Sequence, residues 1–86
     1  MAGVDEIRAG IATANEKCNS SIAALQQAAQ ALEEARQILS QVTSGSNQPE
    51  VTQANGLLAN AGQGISDTQG TIQQAISSAE QYSARL

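Results

Sequence analysis

Residues 4–42 read VDEIRAGIATANEKCNSSIAALQQAAQALEEARQILSQV, and two columns of small or apolar residues run through them seven residues apart. One column is Val4, Ile11, Cys18, Leu25, Leu32 and Leu39; the other, three residues on, is Ile7, Ala14, Ser21, Ala28, Ala35 and Val42. Only a period near 3.5 keeps one face of a helix turned toward a partner over this length. After a break the pattern returns as Val51, Leu58, Ile65, Ile72, Ala79 and Leu86, accompanied by Ala54, Ala61, Thr68, Ala75 and Tyr82. The spacing predicts an all-α single domain over residues 1–86, with a helix over about 4–43, a turn over about 44–48 and a helix over about 49–85.

Punctuation in the chain supports those boundaries. Asp5 and Glu6 suit the positive end of the first helix dipole. Gly45 suits the left-handed residue after a helix C-terminus, and Pro49 the first turn of the next helix. Asn47 and Glu50 have the spacing of a capping box. Within the first helix, Glu33 and Arg36 are spaced to pair. So short a connection makes the helices antiparallel neighbours, an antiparallel two-helix coiled-coil hairpin.

Folding the chain so that Val42 faces Val51 sets large residues against small ones in most layers, such as Leu39 with Ala54 and Leu32 with Ala61. That alternation fills volume and permits close helix approach. Cys18 against Ala75 and Ala14 against Ala79 are underfilled. Gly56, Gly62, Gly64 and Gly70 weaken the second helix by about 1 kcal/mol each relative to Ala. A close approach by another helix and a need for flexibility are the two candidate reasons for them.

More apolar surface remains than one seam can bury. Ile22 and Ala29 fall on one flank of the first helix, Ala24, Ala31 and Ile38 on the other, and Leu57 and Ile76 on the second helix. Wide apolar stripes call for further helices, and a chain of 86 residues has little interior of its own. The expectation is a dimer forming a four-helix bundle, as a homo- or hetero-oligomer with itself or a related helical protein. Ile22, Ile38, Leu57 and Ile76 are the expected partner-interface residues.

Composition narrows the function classes. The net charge is −4 and the four basic residues are scattered, whereas nucleic-acid binding needs a concentrated basic face. A membrane-surface helix needs cations beside bulky apolar anchors, and no apolar run approaches a membrane span. The absence of His, of a nucleophile–base pairing and of a phosphate loop leaves catalysis without a foothold, so no enzyme, cofactor or metal site is expected. Cys18, the single cysteine, reads as a small core hydrophobe. The N-terminus lacks a signal-peptide pattern, so a cytoplasmic location is expected, with export without a cleaved signal peptide left open.

These features together, two amphipathic Ala/Gln/Ser-rich helices around a short polar turn at Ser44-Gly45-Ser46, resemble the WXG-type small helical-hairpin proteins associated with type VII secretion. The turn has Ser-Gly-Ser where that family has Trp-x-Gly, and Tyr82 is followed four residues on by Leu86 where the family's export signal has Asp or Glu. The resemblance implies an antiparallel hairpin that dimerises. The functional expectation is a non-enzymatic protein–protein interaction module that self-associates or escorts a larger secreted protein. A structural protein assembling into a filament or shell is the alternative.

Overall fold

The computed structural model describes residues 3–86. Two helices, α1 (Val4–Val42) and α2 (Pro49–Arg85), pack against each other in a rod of 64 × 17 × 15 Å. The length is what about forty residues rising 1.5 Å each require.

The ends follow local chemistry. Gly3 precedes α1 in an extended conformation, with Asp5 and Glu6 in the first turn. Gly45 has φ +84°, the left-handed conformation that reverses the chain at no steric cost to glycine. Pro49 opens α2, where its missing N–H needs no helical partner. The capping box is a correction: Gln48, not Asn47, is the N-cap residue, and it makes no side-chain capping bond. Instead the Ser46 hydroxyl oxygen accepts the Gln48 N–H at 3.3 Å. The expected Glu33–Arg36 pair forms at 3.0 Å on the surface of α1.

No described residue is fully buried; half-burial marks the seam. On both helices it follows the leading column, from Ile11, Cys18, Leu25, Leu32 and Leu39 across to Val51, Leu58, Ile65, Ile72, Ala79 and Leu86. The companion column is a second correction. Ala14, Ser21, Ala28, Ala35 and Val42, with Ala61, Thr68, Ala75 and Tyr82, are exposed; only Ile7 and Ala54, the first member of the column in each helix, are half-buried as expected. One residue further on, Asn15, Ile22, Ala29, Arg36 and Thr43 meet Asn55, Gly62, Gln69, Ile76 and Ser83, all half-buried. Each helix is thus rolled by one residue from the expected face. Size decides this. Covering Ile22, Ile76 and the aliphatic stems of Arg36 and Gln69 removes far more apolar area from water than covering a row of alanines.

The register also differs from a Val42–Val51 pairing, since Val42 is 75% exposed. Gln69 Nε2 donates to the Ile22 carbonyl at 3.4 Å and Arg8 Nε to the Ser83 carbonyl at 3.4 Å. Both bonds define one antiparallel register, slipped two residues from the expected one. It sets Ala29 level with Gly62 and Leu25 within one residue of Ile65. It also sets Arg36 level with Asn55, whose buried Nε and Oδ1 atoms have no hydrogen-bond partner.

Candidate partner interface

With the leading column labelled d and its observed companion a, every other residue acquires a heptad position. In an antiparallel pair the second helix is both reversed and turned over to face the first. The same heptad column of each helix therefore projects on the same side of the hairpin.

The sides differ in chemistry. Position f, at the back of each helix, holds Thr13, Ser20, Gln27, Glu34 and Gln41, then Gln53, Asn60, Asp67, Gln74 and Gln81. Position e, along one edge of the seam, is mostly polar, with Asn19, Gln26 and Glu33 beside Ser66, Gln73 and Glu80. On the opposite edge, position g holds the displaced companion columns, mostly small residues, and position c beside it holds Ala24, Ala31, Ile38, Leu57 and Gly64 along its middle, with Thr71 and Ser78 and with the charged Lys17, Glu50 and Arg85 toward the helix ends. One broad side of the hairpin is thus polar and the other small and apolar.

Large exposed hydrophobics gather on the second side. Ile38 and Leu57 are each 60% exposed, Val42 75% and Tyr82 46%, and all four occupy g or c. Val4, the fifth, lies in the seam column. The expected interface residues therefore split into two groups. Ile22 and Ile76 are half-buried between the helices, the Ile22 carbonyl receiving the Gln69 amide, while Ile38 and Leu57 stand on the open side. The alanines of position g, expected in the seam, lie on this open side instead. A one-residue roll converts a seam into a surface, and the clean polar run at position f is the signal that fixes the roll.

The glycines are not explained within the hairpin. A Cβ built at Gly10, Gly56, Gly62, Gly64 or Gly70 meets nothing within 4 Å, so the partner helix does not require their small size. Among the described residues no group of three potential metal ligands comes together, and no helix is long and apolar enough to cross a membrane. No protein-family model, curated protein or solved structure matches this chain.

Proposed function

We propose that this chain is a non-enzymatic protein–protein interaction module, a helical hairpin that completes its fold by associating with a second copy or a related helical protein into a four-helix bundle. One observation carries the reading: the hairpin exposes 6197 Å². A compact monomer of 8.8 kDa exposes roughly 4,800 Å², so about 1,400 Å² is left over, more than the ~800 Å² that each partner contributes to a standard interface. An open side bearing Ile38, Val42, Leu57 and Tyr82 is where that excess is least favourable to leave in water. The resemblance to WXG-type hairpins adds a role beside a larger secreted protein, as escort or accessory.

The test is the mass of the purified chain by light scattering over a concentration series, with circular dichroism on the same samples. A helical species of fixed small oligomeric size supports the reading. A helical monomer at every concentration, with no gain in stability as concentration rises, counts against self-association. Growth without a closed size would favour assembly into a filament or shell.

A further inference from the structure

The g and c side of the hairpin is long enough, and bare enough of charge, to be matched against itself. We infer that a second copy of this chain docks there antiparallel, with its α2 lying on α2 and a two-fold axis passing beside Thr68. This rests on the association reading above and assigns the face, the occupant and the orientation.

Area comes first. The side measures about 64 × 17 Å, roughly 1,000 Å², above the ~800 Å² per partner of a standard interface. Charge is the second observation. Between Lys17 and Val42 on α1, and between Glu50 and Arg85 on α2, positions g and c carry no charged residue. Glu50 and Arg85 stand at opposite ends of α2, both at position c and both exposed. A two-fold axis across the middle of α2 brings Glu50 of each copy to Arg85 of the other, forming the pair twice. A parallel docking, α1 on α2 of the copy, sets Glu50 beside the uncharged C-terminal end of α1. Opposed charges are a weak source of affinity at a rim but a strong selector of orientation.

Shape is the third. The same axis sets Tyr82 over Ala54 of the copy, Leu57 over Ser78 and Ile38 over Gly10, so three of the four large exposed side chains on this side face a small residue, while Val42 falls over Ile7 at the end of the face. Gly10 and Gly64 lie at position c, and nothing in their own hairpin occupies the space a side chain would take. A second backbone approaching over them gives that space a use.

The experiment uses the full chain and follows dimer dissociation by sedimentation equilibrium, with helicity checked by circular dichroism. Ala61→Arg, on the face one heptad from the axis, should raise the dissociation constant roughly tenfold or more, whereas Ser66→Arg, on the polar edge, should leave it unchanged. Glu50→Arg and Arg85→Glu should each weaken the dimer, and the double exchange should restore it. Thr68→Cys in a Cys18→Ser background should form a crosslinked dimer on mild oxidation. A dimer indifferent to Ala61→Arg overturns the face while leaving association intact. A dimer sensitive to Ala61→Arg that neither crosslinks through Thr68→Cys nor recovers in the double exchange overturns the orientation. A helical monomer throughout overturns the association reading together with this one.

Discussion

Replacing Gly56 and Gly70 with Ala isolates the cost that glycine imposes on α2. Both lie in the helix interior, neither has positive φ, and an added Cβ at either meets nothing within 4 Å. Both occupy position b, on the outer flank away from the g and c side. The gain is then the propensity difference alone, about 0.8–1 kcal/mol each. Fourteen residues of helix separate the two by about 21 Å, so the effects add, to roughly 2 kcal/mol. For a chain of this size that corresponds to a rise in Tm of roughly 8–16 °C. Urea and thermal melts followed by circular dichroism, at matched protein concentration because association is linked to stability, read both quantities. A double variant no more stable than the parent would refute the reasoning, since it would mean that these glycines accommodate a bend or a neighbour absent from the hairpin.

Gly45→Ala forces a side chain into the left-handed conformation at φ +84° and should lower stability by about 1–2 kcal/mol, seen as a reduced urea midpoint with unchanged slope. Ile22→Ala and Ile38→Ala should separate packing within the hairpin from packing outside it. Truncation of half-buried Ile22 should cost ~1–2 kcal/mol, below the fully buried range; truncation of Ile38, 60% exposed, should change the urea midpoint little under dilute conditions and weaken association. Asn55→Leu removes an oxygen that is buried without a hydrogen-bond partner and should raise stability by about 1 kcal/mol, as measured by urea denaturation. A loss instead would show that Asn55 and Arg36, level in the observed register, engage each other in solution.

Helix type and ends were legible in the sequence because they depend on local chemistry. A leading column in which Ile, Leu and Val hold every position but Cys18 and Ala79 has few alternatives, and Gly45 and Pro49 mark a reversal that no continuous helix tolerates. The roll of each helix was not legible from the same evidence. Ala28 and Ala29 are equally apolar, as are Ala35 and the stem of Arg36, so hydrophobicity alone leaves two candidate companion columns one residue apart. Area buried by Ile22 and Ile76 breaks the tie, together with the willingness of long polar side chains to lay their stems across a seam. Register was harder still. A heptad pattern repeats, and slips that preserve large-against-small matching differ only in contacts such as Gln69 with the Ile22 carbonyl. Of the expected interface residues, Ile38 and Leu57 could be placed on the outside because no seam column contains them; Ile22 and Ile76 followed the roll.

The short link between the helices also shapes how the fold assembles. Gln69 and Ile22 are 47 residues apart in the chain and Arg8 and Ser83 are 75 apart, separations that would make direct encounter slow if each contact had to form independently. They need not. Once the chain reverses at Gly45, each closed layer brings the next pair together, and the loop still to be closed never exceeds a few residues. Pairing can advance from the turn like a zipper, with one slow nucleation and a rapid run outward. Opening takes the reverse path, so the paired ends near Ile7 and Leu86 are the first to part and the layer nearest the turn is the last.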